Sequence, residues 1–404
     1  MPIYWILFIG LIVLLFLFGD APASGGVKIT PEKAAAVKFS SWAHWKSVEP
    51  RDDRIRILWI DQDYVPWVNA GSEICSHQIN KFLINKPYKW DIFVATPGYP
   101  QRTYENIRCF DLHDTKKLLE VLESTNIIMS HSYAYRSACE YICRTTGIPF
   151  VGWPHTDNYV SAVKRDRKHW FDPRCSGREF SAFNSKSLFT LAKIERNNCR
   201  IFIPVVDYRD YGVDPKKRDA KYVTLSNVNP NKGGELLKLL ARACPDIEFL
   251  GVKGGYGKQL TDDAIPNLTY IPHTDKIKEI YAKTWVQIMP SKAETWGRTA
   301  VEAMSSGIPV VVSPTPGLRE CCGDAALYVS RDDPEGWITT LRSLKDNQEF
   351  YNKRSKKALE RARALDPRPV LAQIEDWLEN TVAPAQDKTK GRSLTTVEKN
   401  LLFR

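Results

Sequence analysis

From Arg54 onward the chain alternates short apolar runs with longer amphipathic ones. RIRILWI (54–60), DIFVAT (91–96), NIIMS (126–130) and IPFVGW (148–153) have strand length and are predicted as strands. SEICSHQINKFL (72–83), TKKLLEVLES (115–124) and YRSACEYICRTT (135–146) carry apolar residues every three or four positions and read as the helices between them. A second series begins near Asp207. Its strands are KYVTLS (221–226), IEFLGV (247–252), LTYI (268–271), WVQIMP (285–290) and IPVVV (308–312), and its helices are ELLKLLARA (235–243), KIKEIYAK (276–283) and RTAVEAM (298–304). Apolar strands that alternate with helices form parallel sheets covered on both faces, with sites at the carboxyl ends of the strands. The expectation is an α/β protein of two doubly wound halves with a cleft between them.

Other segments break this rhythm. YWILFIGLIVLLFLFG (4–19) is uninterrupted apolar or glycine sequence, close to the ~17–25 residues that span a bilayer, so residues 1–20 are expected to form a transmembrane anchor. A cleaved signal peptide is the alternative, since APASGG follows Asp20, but the basic leader of such peptides is missing. Lys28, Lys33 and Lys38 follow the span and no lysine or arginine precedes it, which by the positive-inside tendency leaves the remainder cytosolic rather than lumenal. Residues 21–53 read as a stem, 54–205 and 206–367 as the two domains, 368–384 as a terminal helix, and 385–404 as a disordered tail. The stretch 161–190 is densely basic without a clear period and is expected to be an insertion or mobile loop near the acceptor.

Composition adds modest constraints. A chain of 404 residues with 26% charged residues can bury two cores. The net charge of +10 suits an anionic substrate or membrane face, while the absence of an arginine stripe with interleaved aromatics disfavours nucleic acid. Nine cysteines, odd in number and without a Cys-x2-Cys pair, point to reduced thiols. The NLT sequon at Asn267 reads as a chance match.

Chemistry concentrates in SKAETWGRTAVEAMSSGIPVVVSPTPGLRE (291–320). Thr295, Trp296, Gly297 and Arg298 lead into a helix whose free N–H groups can hold a diphosphate. Glu294 stands just before that helix, placed to accept hydrogen bonds from sugar hydroxyls, and Glu302 lies two turns inside, able to reach a ribose diol. The structural reading is that Arg298 and Glu302, four apart, form an exposed ion pair.

This segment resembles the Glu-x7-Glu motif of the family 4 retaining glycosyltransferases, and other pieces follow in that family's order. YVTLSNVNPNKGGELLKLL resembles the strand, loop and helix that present a lysine to the donor pyrophosphate, implying Lys232 with Gly233. FVGWPHTDN resembles the strand end that carries a histidine beside the reacting sugar, implying His155. VNAGSEICSHQINKFL resembles the first glycine loop, implying Gly71 and Ser72 near the transferred group. RIFIPVVDYRDYG resembles the hinge.

The family usually has an arginine six residues before the lysine; here that position is Ser226, followed by Asn227, with Arg298 and Arg319 as candidate replacement cations. The resemblance implies the GT-B fold and retaining, metal-independent transfer of a hexosyl-type unit from a UDP- or GDP-type sugar to a glycan or lipid-linked acceptor. It implies no separate cofactor and no metal ligands. Glu294 and His155 would act at the reacting sugar, with a terminal helix crossing back to the first domain. A sugar-nucleotide epimerase and a non-catalytic scaffold are the alternatives.

Asp61-Gln62-Asp63 has the form of a manganese motif, but it directly follows the first strand of a doubly wound domain and is not expected to bind metal. GVKGGYG (251–257) reads either as the loop that packs on the nucleotide base or as a turn. His131 either contacts the acceptor or is structural, and His77 reads as structural.

Overall fold

The computed structural model describes residues 53–387, except 168, 195, 196 and 256, together with residue 389. The expected anchor (1–20), nearly all of the stem and most of the tail lie outside the described residues. Among the described residues no helix is long and apolar enough to cross a membrane.

Strands β1 (Ile55–Ile60), β2 (Trp90–Thr96), β3 (Arg102–Tyr104), β4 (Ile107–Asp111), β5 (Ile127–Ser130), β6 (Phe150–Gly152), β7 (Glu179–Phe183) and β8 (Cys199–Ile201) form one sheet. Its order is β3-β4-β2-β1-β5-β6-β7-β8. All pairings are parallel except β3 with β4, a hairpin whose turn places Glu105 and Asn106 at φ 45 and 67. The second sheet, in the order β11-β10-β9-β12-β13-β14, is wholly parallel. It comprises β9 (Tyr222–Ser226), β10 (Glu248–Val252), β11 (Leu268–Ile271), β12 (Thr284–Met289), β13 (Val310–Val312) and β14 (Leu327–Tyr328).

Every residue of β2, β5 and β13 is buried, as the continuous apolar runs require of strands covered on both faces. Strand order changes direction at β1, flanked by β2 and β5, and at β9, flanked by β10 and β12. In doubly wound sheets those switch points open a crevice at the carboxyl ends of the strands. The residues after β1, β5, β9 and β12 are therefore where chemistry should gather.

The Pro367–Trp377 helix crosses back onto the first domain, where Val370, Leu371, Ile374, Trp377, Leu378 and Val382 join the core built on β1 and β2. Trp377 packs edge-on to Phe180 at 6.0 Å and beside Phe202 at 5.4 Å. Lys86 Nζ lies 2.5 Å from Glu375 and Lys89 Nζ 2.6 Å from Glu379, so ion pairs flank the apolar seam.

The basic stretch 161–190 departs from expectation. It contains the end of the Asp157–Asp166 helix, the buried strand β7 and the Lys186–Ala192 helix. Several of its charges are paired: Arg165 with Asp166 and Arg174 with Asp172 inside the stretch, and Arg167 with Glu140 of the Tyr133–Thr146 helix. Buried Arg136 meanwhile grips Glu140, 2.9 Å away, and Glu179. The period is hidden because the helices are short and β7 is buried on both faces. Asn267 is buried and its amide donates to the carbonyls of Ala241, Cys244 and Ile247 at 2.8–2.9 Å, so the sequon is a structural bracket. All nine cysteines are free and buried.

Candidate active site

At the carboxyl end of β9, the Ser226 hydroxyl is buried without a hydrogen bond. Asn227 takes the left-handed conformation, φ 74, and its N–H donates to Val252 O at 2.8 Å. Gly254, in the GVKGGYG loop, packs against Asn227 so closely that a Cβ there would lie 2.3 Å from the side chain. The Asn229 side chain caps the next turn through Lys232 N at 2.9 Å. Gly233 then turns the chain at φ 101, where a Cβ would fall 2.3 Å from Pro290 Cγ, so only glycine lets this turn rest on the end of β12. The consequence is placement: Lys232 Nζ reaches Glu294 Oε1 at 2.5 Å, and Ser291 Oγ donates to the same oxygen at 2.9 Å.

Glu294, Thr295 and Trp296 run from β12 into Gly297, φ 118, which opens the Arg298–Met304 helix. Trp296 is buried, its indole N–H unpartnered. Glu302 is buried within the helix that follows Glu294. Its carboxylate pairs with Arg298 Nε at 2.7 Å and accepts from the Tyr281 hydroxyl at 3.0 Å. Both carboxylate oxygens are thus engaged within the lobe.

The pair with Arg298 exists as the structural reading supposed, but it is buried rather than exposed. Arg298 also spans the two lobes, donating to Gln78 Oε1 at 3.0 Å, Val205 O at 2.7 Å and the Tyr211 hydroxyl at 2.6 Å. Its guanidinium is thus held by groups of both lobes. Arg319 is exposed, its guanidinium over the Tyr328 ring at 4.9 Å.

The first domain meets this loop directly. His155, just past β6, accepts through its carbonyl from Thr295 Oγ1 at 2.8 Å and from Asn184 Nδ2 at 3.2 Å. Its ring stacks on Trp153 at 6.4 Å and lies edge-on to His131 at 5.8 Å. Burial, reinforced by the nearby His131 and Arg298 cations, pushes the His155 pKa down to about 3. Gly71 and Ser72 open the Gly71–Ile84 helix, where Ser72 Oγ donates to Glu73 Oε2 at 2.9 Å. Further along, Glu320 caps the Lys186–Ala192 helix across the cleft, its carboxylate accepting from Lys186 N at 2.9 Å and Ser187 N at 3.1 Å. A cleft of about 1060 Å³ opens here, lined by Ser291, Glu294 and Thr295 from one lobe and Asp157, Ser187 and Leu191 from the other.

Several contributors were not singled out in the sequence. Glu73 follows Ser72 directly yet carries no pattern of its own, and Asn184, Gln78 and Glu320 act only through the opposite lobe. Asp61 is fully buried and accepts from Ser130 Oγ at 3.1 Å, His131 N at 2.8 Å and Ser132 N at 3.1 Å, so it is turned inward rather than presented with Asp63. Among the described residues, no cluster of three or more His, Cys, Asp or Glu side chains is arranged to hold a metal ion. His77 is buried between the Tyr64 hydroxyl at 2.9 Å and Glu105 at 3.5 Å, a structural placement.

Residues 258–361 match the family described as glycosyl transferases group 1. Sulfoquinovosyl transferase of Arabidopsis thaliana is 27% identical over 219 residues, 48% of this chain and 42% of that protein. A D-inositol 3-phosphate glycosyltransferase of Nocardioides sp. is 36% identical over 153 residues, 37% of this chain and 31% of its own. The chain thus spans well under half the length of these curated relatives.

Among solved structures, Anabaena HepE in complex with UDP and glucose superposes with a TM-score of 0.64 at 16% identity, covering 81% of this chain and 100% of that one. Sucrose-phosphate synthase of Thermosynechococcus elongatus gives 0.63 at 16%, covering 82% and 100%. Likeness at this identity shows the fold. The chain has the GT-B fold, and residues 258–361, which include Glu294 and Glu302, match the glycosyl transferases group 1 family.

Proposed function

We propose that this protein is a retaining glycosyltransferase that moves a hexosyl-type unit from a UDP- or GDP-type sugar to a glycan or lipid-linked acceptor, without a metal. The observation that carries the reading is the Lys232–Glu294 pair at 2.5 Å, set at the strand ends of one lobe beside the cleft, with the His155–Thr295 contact bridging to the other. Without substrate, each charge satisfies the other. A nucleotide diphosphate would draw the Lys232 ammonium to itself and free the Glu294 carboxylate to accept hydrogen bonds from sugar hydroxyls.

As the anomeric bond breaks, negative charge collects on the leaving diphosphate, where Lys232 stabilises it, and positive charge spreads over the sugar ring. His155 meets that ring from the opposite lobe. Retention follows if the acceptor enters on the face from which the diphosphate leaves, with a donor phosphate oxygen taking the acceptor's proton. The apolar residues 4–19, as a membrane anchor, would hold the cleft near a lipid-linked acceptor.

The test uses the full chain. UDP or GDP is expected to raise the melting temperature, and Lys232→Ala to abolish that rise and to lower kcat/KM for donor turnover on the order of 100-fold, the effect of losing one transition-state donor of about 3 kcal/mol. A panel of labelled nucleotide sugars identifies the donor. Absence of stabilisation by either nucleotide sinks the reading. A non-catalytic nucleotide-binding relative is the second reading, favoured by Ser226 standing where the family usually has arginine. Stabilisation by nucleotide with no turnover of any donor selects it.

A further inference from the structure

Behind His155 lies a charged cluster that the proposed chemistry has not used. His131, just past β5, is buried, with Nδ1 3.0 Å from Asp61 Oδ2 and Nε2 3.5 Å from Glu73 Oε1. Asp61 comes from the end of β1 and is held by Ser130 Oγ and the amides of His131 and Ser132. Glu73 comes from the first turn of the Gly71–Ile84 helix and is held by Ser72 Oγ. Both ring nitrogens of His131 therefore face a carboxylate, and the ring presents itself edge-on to His155, 5.8 Å away at 79°. Burying three ionisable groups together is costly, and here the cost is offset by their mutual pairing and by the hydroxyl and amide donors on both carboxylates.

We propose that Asp61, His131 and Glu73 form a positioning cluster that orients His155 towards the transferred sugar and sets a net negative charge behind it. The proposal rests on the glycosyl-transfer reading of this site. Two carboxylates grip one imidazolium, so the cluster carries one negative charge in excess, in the lobe opposite the one that carries Lys232. That asymmetry matches the reaction: the cation stands where the diphosphate departs, and the excess carboxylate stands where positive charge spreads over the ring.

Burial works against a charge on His131, but Asp61 and Glu73 outweigh it and raise its pKa to about 10. Burial would also raise the Glu73 pKa, and the His131 contact overrides it, so that carboxyl titrates below its ordinary range. Cys75 also feels the charge of His131, and His155 that of Arg298. A neutral His155 can both donate and accept a hydrogen bond without opposing the developing positive charge. Asp61, His131 and Glu73 act through it and are positioning residues.

The experiment compares the full-length protein with His131→Asn and Glu73→Gln, the second keeping the test open should the first fail to fold. Histidine ring signals are followed by NMR from pH 5 to 8, and donor hydrolysis is measured as kcat and KM. In the native protein the His131 ring is expected to stay protonated and the His155 ring neutral throughout. His131→Asn should move the His155 titration upward. Each substitution should lower kcat about tenfold or more with donor KM within about twofold, because the effect falls on the transition state.

UDP or GDP stabilisation should be unchanged in both variants, which separates loss of this cluster from loss of the nucleotide site. Unchanged His155 titration together with unchanged kcat in the variants overturns the proposal. If the native protein binds neither nucleotide, the functional reading fails, and the NMR arm still decides whether the cluster controls His155.

Discussion

Lys232 and Glu294 stand 62 positions apart in the chain, yet their side-chain atoms meet at 2.5 Å, because a glycine with φ 101 lets one loop lie on the end of the neighbouring strand. Residues of this kind were legible: lysine before paired glycines, glutamate before a helix, and histidine after a strand each combine a residue type with a local signal. Glu302 shows the limit. Spacing places it two turns after Glu294, but not which partner it takes, and Arg298 reaches it first.

That pair supports a prediction at the same scale. Arg298 is nearly buried and ties Glu302, Gln78, Val205 and Tyr211 together. Removing one member of a buried pair leaves its partner's charge uncompensated, so Arg298→Ala should lower unfolding free energy by about 3–5 kcal/mol. Urea unfolding measures it, and a loss below ~1 kcal/mol would show the pair to be incidental.

Secondary elements with a clean period emerged close to their expected bounds. RTAVEAM is the observed helix Arg298–Met304, and LTYI is β11. The hairpin β3–β4, the buried β7 and the Lys186–Ala192 helix were not read: β3 is only three residues long, β7 is buried throughout and shows no alternation, and the helix ends a basic stretch with no clear period. The crossing helix was expected from the family resemblance, and its amphipathic sequence agrees: Val370, Leu371, Ile374 and Trp377 lie on one face. Trp377 is 3% exposed and lies between Phe180 and Phe202, so Trp377→Ala should cost about 3–5 kcal/mol through lost burial and a residual cavity. Because that helix follows the second domain and packs on the first, the loss should appear as earlier unfolding of the first domain. Hydrogen exchange in β1 and β2 reports it.

For the whole molecule, the two histidines at the cleft give stability an optimum in pH. His131 has its pKa raised to about 10, so its contribution is complete below the unfolded histidine value of about 6.5 and is lost as pH rises through 10. His155 is lowered to about 3, so the unfolded chain takes up a proton that the fold refuses, and stability falls as pH drops from about 6.5 towards 3. Glu73, held below its ordinary value, adds to the acid-side loss. Urea unfolding from pH 5 to 9 should peak near neutrality, with each histidine contributing a slope of at most about 1.4 kcal/mol per pH unit. His131→Asn should flatten the alkaline side. A decline there that survives the substitution assigns it to another group.

Taken alone, the sequence determined that this chain makes two mainly parallel sheets, roughly where most of their central strands end, and which reactive side chains stand at those ends. It could do so because strand and helix periods are local, and a side chain's face follows from its immediate neighbours. Only the tertiary structure decided the partnerships: Glu302 with Arg298, His131 between Asp61 and Glu73, Thr295 on the His155 carbonyl, and Glu320 capping a helix of the other lobe. Those contacts join strand ends that are close solely because the sheets reverse direction at β1 and β9 and the lobes face one another. No pattern of period two or 3.6 carries information across such distances in sequence.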